Sequence, residues 1–197
     1  MSSLKIKKEI QWQKVDNIKR KIIHITAALI ICCFPYFLSL YHIILLAVLF
    51  TLIFLVAKIF NFLPIVSKVK RVSLGEVFYP LGVLISAIVF LSQNDIRSFQ
   101  FGILVLGFSD ALANILGGLF GRFKYKLIGN AKTIEGSSAF FLSTFILFII
   151  MKGKINSFPL DFYLLASLFL TLIEAVFFLG LDNLFLPVLS SYLFSLI

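Results

Sequence analysis

The sequence predicts an all-α, polytopic integral membrane protein, a helical bundle of about seven transmembrane helices with a cytoplasmic N-terminus. Of the 197 residues, 60% are hydrophobic and 14% are charged, and the mean hydropathy is +1.06. An average soluble domain contains only about 45–50% apolar residues. The chain also divides into seven apolar segments, and its basic residues concentrate in alternate connections between them. These three observations together indicate the fold class.

The seven predicted spans follow one another with short connections. A helix needs about 20 residues to cross a hydrocarbon core of about 30 Å. A polar break at residues 39–42, preceded by Pro35, predicts a tight turn between the first two spans. Three spans are short, so we expect tilt, a thinned bilayer or non-helical backbone at 77–91, 139–151 and 184–197. The full set of spans is 22–40, 41–60, 77–91, 99–120, 139–151, 158–179 and 184–197.

Residues 1–21 are a basic N-terminal segment, and residues 22–197 are expected to form a single transmembrane domain. The first segment mixes lysines with Leu4, Ile6, Ile10 and Trp12. This pattern predicts an interfacial helix on anionic lipid, with a mobile tail as the alternative. The first span is too long for the apolar region of a signal peptide, so we expect it to remain in the mature protein.

The basic residues indicate the orientation. The net charge is +9, from 18 Lys and Arg against 9 Asp and Glu. Seven basic residues precede the first span, four lie near the connection after the second and four follow the fourth, whereas only three lie in the opposite connections. The positive-inside rule therefore places the N-terminus and the central loop in the cytoplasm, and we expect the protein in the cell membrane. This sorting argues against a nucleic-acid partner.

An aspartate in the fourth span is the strongest functional signal. Asp110 lies eleven residues after Phe99, which is about 17 Å along a helix. An ionised group at this depth costs about 2.5–3.5 kcal/mol and faces a polar cavity or a partner. Helical spacing puts it on one stripe with Gly107, Asn114, Gly117 and Gly121. We predict that Asp110 and Asn114 contact a ligand or metal, with a buried interhelical pair as the alternative, while the glycines equally fit a packing face.

Other acidic residues fall toward the same side of the membrane, namely Glu76, Glu135, Glu174 and Asp182. Ser73 and Glu76 fit a capping box at the start of the third span, which is a structural alternative for Glu76. Glu174 interrupts an apolar span without such an explanation. We therefore predict that it faces the interior, or pairs with a basic residue that the sequence does not identify.

The central loop has the composition of a phosphate site. Cations and exposed backbone N–H groups bind phosphate oxygens, although positive-inside lysines would give a similar composition. Ala131 stands where a Walker A loop has glycine. Carboxylates beside these groups fit a magnesium-nucleotide site. The loop and its flank supply Arg122, Lys124, Lys126, Gly129, Lys132, Thr133 and Gly136.

Five short motifs resemble those of the diacylglycerol/polyprenol kinase family, which includes dolichol kinases, phytol kinases and CTP-dependent diacylglycerol kinases. Residues 109–123 (SDALANILGGLFGRF) and 130–138 (NAKTIEGSS) resemble its two central blocks. The other three motifs are similar in the same order along residues 20–187: Arg20-Lys21 with His24, Gly75-Glu76, and Asp182-Asn183 with Pro187.

This resemblance implies transfer of the γ-phosphate of CTP to the hydroxyl of a membrane lipid at the cytoplasmic face, with Mg2+ as cofactor. The lipid would be of the polyprenol, phytol or diacylglycerol type, and the span region would be catalytic. The implied catalytic residues are Asp110, Asn114, Lys132 and Glu135, and the implied metal ligands are Asp110, Glu76 and Glu174. Phosphate would be bound by Arg122, Lys132, Thr133, Gly117, Gly121, Gly136 and Ser137. Further site residues would be Arg20, Lys21, His24, Asp182 and Asn183.

Two other classes remain as alternatives. CDP-diacylglycerol synthases share the central block, but they also resemble one another in a late histidine-glycine and Asp-Arg signature. Here no histidine follows His42, and the corresponding region reads GLDNLFLP, which favours the kinase. A noncatalytic carrier or scaffold is the third class, although no internal repeat is visible. The lipid alcohol, the nucleotide and a homo-oligomeric state are left open.

Overall fold

A computed structural model describes the backbone of residues 2–60, 74–129, 131–152 and 160–197, with side chains from residue 18 onward. The described chain forms seven continuous helices, which confirms the helical fold class. They are α1 (Ser2–Phe37), α2 (Leu40–Ile59), α3 (Gly75–Leu91), α4 (Ile96–Phe120), α5 (Ile134–Lys152), α6 (Leu160–Val176) and α7 (Asp182–Ser195). A small antiparallel hairpin, which the sequence did not predict, joins α4 to α5 through β1 (Lys124–Tyr125) and β2 (Lys132–Thr133).

Four of these helices are long and apolar enough to cross a membrane, so the chain is a multi-pass integral membrane protein. The four segments are Ile18–Phe37, Leu40–Ile59, Ile96–Phe120 and Ile134–Lys152. Gly75–Leu91 is apolar but shorter, as expected. The predicted turn near residue 39 is confirmed, because α1 ends at Phe37 and α2 begins at Leu40.

Two boundaries differ from the sequence prediction. The span expected at 139–151 begins earlier, at Ile134, because the Thr133 hydroxyl accepts a hydrogen bond from the Gly136 N–H at 3.1 Å and caps the first turn. The fifth helix is therefore not a short span. Near the N-terminus, the backbone of α1 is helical from Ser2 onward. The helix therefore continues without a break across the predicted boundary between the N-terminal segment, residues 1–21, and the first span, which was expected to begin at residue 22. The side chains of residues 1–17, on which the interfacial interpretation depends, lie outside the described residues.

Two helices contain a π-helical turn. One ends α3 at Ala87–Leu91, and the other interrupts α4 at Val105–Ser109, directly before Asp110. A π turn adds one residue to a helical turn and so rotates the side chains that follow it. Gly107 lies within the second one and packs against α1, where a Cβ atom would be 3.3 Å from the His24 carbonyl oxygen. The π turn therefore sets the direction in which Asp110 enters the bundle.

Helix α4 is the central helix because it contributes to both apolar cores. On one side, Phe99 and Leu106 of α4 pack with Phe90 of α3 and with residues of α1 and α2. On the other side, Phe101 of α4 packs with α5 and α7, at ring-centroid distances of 4.3 Å to Phe148 and 4.6 Å to Phe194. Helix α4 therefore lies between the two apolar cores, and its Asp110 is fully buried.

Candidate functional site

Asp110 forms a buried polar group in which both carboxylate oxygens have a partner. The Asp110 side chain is fully buried, and its Oδ2 forms an ion pair with Lys21 Nζ from α1. Asn114 Nδ2 donates to Asp110 Oδ1 and to the Asp110 backbone oxygen, both at 2.8 Å. Lys21 itself is only 8% exposed. A buried charge is tolerated only when it is paired and hydrogen-bonded, and this group meets that condition.

A second ion pair, between a half-buried lysine and a buried glutamate, joins the hairpin to α6. Lys132, on β2, pairs with Glu174 Oε1, while the buried Glu174 Oε2 has no hydrogen-bond partner among the described residues. Burial lowers the pKa of Lys132, but the carboxylates of Glu174 and Asp110 outweigh this effect and hold the pKa above its ordinary value. Lys132 is therefore an ammonium ion at neutral pH. Glu174 is buried and pairs with a basic residue, as the sequence allowed, and a role for it in binding or catalysis stays a prediction.

The two ion pairs belong to one electrostatic group. Lys132 is close enough to interact with Asp110, and Asp182, at the start of α7, interacts with Asp110, Lys21 and Lys132. Together these are three carboxylates and two ammonium groups, so the group has a charge of −1 when all are ionised. We refer to these five residues as the charged cluster. Its excess of negative charge suits an additional cation.

Glycines hold the hairpin against α4. A Cβ atom on Gly117 would lie 2.7 Å from Thr133 Oγ1 and 3.2 Å from the Cα of Gly136, and one on Gly136 would lie 2.8 Å from the Ala113 carbonyl oxygen. A Cβ atom on Gly121 would lie 3.0 Å from the Cβ of Thr133. The packing interpretation of Gly117 and Gly121 is therefore confirmed, and this packing holds Lys132 within the charged cluster. Phosphate binding by these glycines and Thr133 remains a prediction.

Glu135 and Ser137 hold the other strand of the hairpin. Glu135 Oε1 accepts hydrogen bonds from the backbone N–H groups of Arg122 and Phe123, at 2.8 Å and 3.3 Å. The Ser137 hydroxyl lies 2.5 Å from the Tyr125 hydroxyl. The Arg122 side chain is exposed. These contacts give Glu135 and Ser137 a structural role, and their catalytic or phosphate-binding roles stay predictions.

The N-terminal motif contacts α3 as well as α4. Arg20 and Lys58 both pair with Glu76, at 3.6 Å and 3.9 Å. The ring of His24 lies 4.9 Å from that of Tyr79, whose hydroxyl donates to the His24 carbonyl oxygen at 3.3 Å. The predicted capping box depends on Ser73, which lies outside the described residues. Glu76 thus belongs to an ion-pair group with Arg20 and Lys58.

Asn183 places Asp182 at the cluster. Asn183 Nδ2 donates to the Gly75 carbonyl oxygen at 3.0 Å, and the Leu74 N–H donates to the Leu179 carbonyl oxygen at 2.9 Å. These two bonds join the start of α7 to the start of α3. We therefore regard Asn183 as a positioning residue, whereas the Asp182 carboxylate takes part in the cluster.

The charged cluster offers carboxylate oxygens, which are the type of ligand that magnesium prefers. Among the described residues, no three acidic, histidine or cysteine side chains form a ready-made metal site, so Asp110, Glu76 and Glu174 are not assembled as the predicted set. Magnesium is commonly held by one or two carboxylates together with substrate phosphates. Glu174 Oε2, for which the described part of the chain supplies no partner, and the carboxylate of Asp182 match that requirement better than Asp110, whose oxygens are both engaged.

Sequence reasoning missed several contacts because they join distant positions. Lys21 was singled out only by resemblance, and its partner Asp110 lies 89 residues away. Lys58, Tyr79 and Tyr125 were not predicted as parts of the site. No signal in a single sequence identifies such partners. The order of basic, acidic and aromatic residues is compatible with many pairings until the helices are packed.

Comparison with known proteins gives two relatives. An uncharacterized protein of Methanocaldococcus jannaschii is 32% identical over 141 residues, which is 68% of this chain and 68% of that protein. A phytol kinase of Synechocystis sp. is 28% identical over 132 residues, which is 66% of this chain, and the match spans 57% of that kinase's length. No protein-family model matches the chain. No solved structure matches it either.

Proposed function

We propose that this chain is a CTP-dependent lipid kinase. It belongs to the same family as the uncharacterized archaeal protein and is a distant homologue of a phytol kinase. It would transfer the γ-phosphate of CTP to the hydroxyl of a polyprenol, phytol or diacylglycerol-type lipid at the cytoplasmic face. The similarity to a phytol kinase favours phosphoryl transfer over cytidylyl transfer.

The pairing of a buried lysine, Lys21, and a half-buried lysine, Lys132, with buried carboxylates is the observation that carries this proposal. Burying ion pairs costs several kcal/mol per ion in desolvation and seldom stabilises a fold. A polar group of this kind inside a membrane bundle is by default functional. Lys21 and Lys132 come from separate elements and converge near Asp110. A triphosphate would offer both ammonium groups a stronger anionic partner than the carboxylates do.

In the proposed reaction the lipid hydroxyl oxygen attacks the γ-phosphorus, the bond from that phosphorus to the β,γ-bridging oxygen breaks, and CDP leaves. Lys21 and Lys132 bind phosphate oxygens and stabilise the charge that develops on them. The movement of Lys21 to phosphate frees Asp110 Oδ2, which accepts the proton of the hydroxyl. Asn114 keeps the Asp110 side chain in place through its bond to Oδ1.

Magnesium bound with the nucleotide would neutralise phosphate charge. Glu174 and Asp182 are the residues that would hold it. Glu174 Oε2 supplies a buried oxygen without a partner among the described residues, and the cluster carries an excess carboxylate.

The experiment uses CTP labelled at either the α- or the γ-phosphate, given to the purified protein with a panel of lipid alcohols and with phosphatidate. We expect label in a lipid alcohol from the γ-phosphate alone. Label from the α-phosphate in phosphatidate, with release of pyrophosphate, would establish a cytidylyltransferase instead. If no nucleotide supports transfer of label to any lipid, the carrier or scaffold is favoured.

A matched pair of lysine variants tests the assigned site. Lys21→Met should lower γ-phosphate transfer roughly 100-fold, as loss of a preorganised charge contact does. Lys19→Met removes an exposed lysine two residues away on the same helix and should leave transfer unchanged. Equal rates for the two variants would remove Lys21 from the site.

A further inference from the structure

The hairpin between α4 and α5 exposes an unusual amount of apolar surface. Phe123, Leu127 and Ile128, together with Phe120 and Ile134 at the adjoining helix ends, are between 54% and 68% exposed. Phe123, Leu127 and Ile128 lie in a connection that the charge pattern places on the cytoplasmic side. Such a concentration of exposed large apolar side chains marks an interaction surface.

The same hairpin is strongly basic. Residues 121–133 contain four cations and no acidic residue. Lys132 pairs with Glu174 inside the bundle, whereas Arg122, Lys124 and Lys126 are exposed and form no ion pair with any residue that the structure describes. Exposed positive charge and exposed apolar side chains therefore alternate along one short segment.

Contacts along its length hold the hairpin against the helix bundle. Its first strand is fixed by the bonds from Arg122 and Phe123 to Glu135, and Tyr125 contacts Ser137. Near its tip, Gly129 lies against Phe178, so closely that a Cβ atom on Gly129 would be 2.5 Å from the Cγ of Phe178. The hairpin also begins and ends at helices long enough to cross a membrane. It consequently lies at the level where those helices leave the hydrocarbon.

We infer that this hairpin surface, formed by Phe123, Lys124, Lys126, Leu127 and Ile128, lies in the headgroup region of the cytoplasmic leaflet and binds anionic phospholipid. Apolar side chains with interleaved lysines are the composition of interfacial segments, which bury apolar area at the acyl boundary and attract anionic headgroups. The positive charge selects the anionic bilayer as occupant over a second copy of this chain, whose net charge is also positive. This surface would exist whether or not the chain is a kinase.

Tryptophan fluorescence in lipid nanodiscs tests the position of the hairpin. The chain has one tryptophan, so Trp12→Phe provides a silent background. In that background, Phe123→Trp should emit at short wavelength and be quenched by phospholipids brominated on their acyl chains. Gln93→Trp, in the exposed polar turn between α3 and α4, is the matched control and should emit as in water without such quenching.

The charge requirement is tested in the same system. Replacing zwitterionic by anionic lipid should increase the ratio of inserted to solvent-exposed hairpin in the Phe123→Trp protein. Lys124→Gln and Lys126→Gln should each reduce this increase about fivefold, the factor expected for one lysine near an anionic surface.

Three outcomes would overturn the inference. Emission and quenching of Phe123→Trp equal to those of Gln93→Trp would place the hairpin in water. Equal quenching in anionic and zwitterionic discs would leave no role for the lysines. Shielding that arises only when a disc holds two copies of the chain would identify a self-association surface.

Discussion

At the residue scale, the central feature is the ion pair of Asp110 with Lys21, in which each charge offsets the cost of burying the other inside the membrane. Asp110 is fully buried and Lys21 nearly so. Removing one partner of a buried ion pair leaves an uncompensated charge, which costs about 3–5 kcal/mol, whereas removing both can be neutral. The pair should therefore show strong coupling in stability measurements.

A double-mutant cycle tests this coupling. Asp110→Asn and Lys21→Met should each lower the free energy of unfolding by about 3–5 kcal/mol, and the double variant should lose much less than the sum. Unfolding of the purified proteins in detergent measures the coupling energy. If the two single losses simply add, the ion pair is not a stability determinant.

The residue types at the site were predictable, but their partners were not. A carboxylate within an apolar run must be buried or line a cavity, so Asp110 and Glu174 could be identified from the sequence. Their lysines lie 89 and 42 residues away. Only helix packing brings such distant groups together, and many lysines in the chain were equally available. Roles for Arg122, Thr133, Glu135 and Ser137 in binding or catalysis stay predictions.

At the element scale, the contact between α4 and the start of α5 determines where Lys132 lies. Gly117 and Gly136 allow backbone to meet backbone there, and Thr133 fills the remaining space. On the side of α4 that faces α1, the π turn before Asp110 sets the direction of the Asp110 side chain. The sequence predicted a stripe of small and polar residues but not the π turn, because helical periodicity carries no signal for one inserted residue.

Alanine substitutions at two adjacent glycines distinguish the effect of packing on stability from the effect of helix propensity. In Gly117→Ala, the new methyl group would lie 2.7 Å from Thr133 Oγ1, so we expect a loss of about 1–3 kcal/mol in stability together with lower phosphoryl transfer as Lys132 shifts. Gly118 has nothing within 4 Å of the corresponding position, and Gly118→Ala should gain about 0.5–1 kcal/mol. Unfolding and transfer assays on both variants measure this difference. Similar behaviour of the two would show that the contact does not constrain the hairpin.

At the scale of the whole molecule, one end of the bundle collects the charged groups. The middle of α1 and the middle of α4 meet there through the ion pair of Lys21 with Asp110, and the hairpin meets the end of α6 through the ion pair of Lys132 with Glu174. The start of α7 contributes Asp182. The start of α3 joins the same end through its bonds to Asn183 and Leu179. These helix ends can meet only if successive helices run in opposite directions, as the concentration of basic residues in alternate connections predicted.

Thiol labelling tests the orientation. In a protein with Cys32 and Cys33 replaced by alanine, Gln93→Cys should react with a membrane-impermeant thiol reagent on intact cells, because the positive-inside rule places that turn outside. Lys19→Cys should react only after the cells are opened. Labelling of Lys19→Cys on intact cells would reverse the orientation and move the charged cluster to the outer face.

The sequence by itself determined the membrane class, the helical fold, the approximate helices and the acidic residues that had to be buried, because apolar composition and isolated charges are local properties of a chain. Tertiary structure alone decided which lysine neutralises which carboxylate, that the glycines seat the hairpin on α4, and that Asp182 rather than Glu76 belongs to the charged cluster. The physical reason is that electrostatic pairing depends on distances of a few ångströms. Those distances arise only when residues from separate helices are packed around α4.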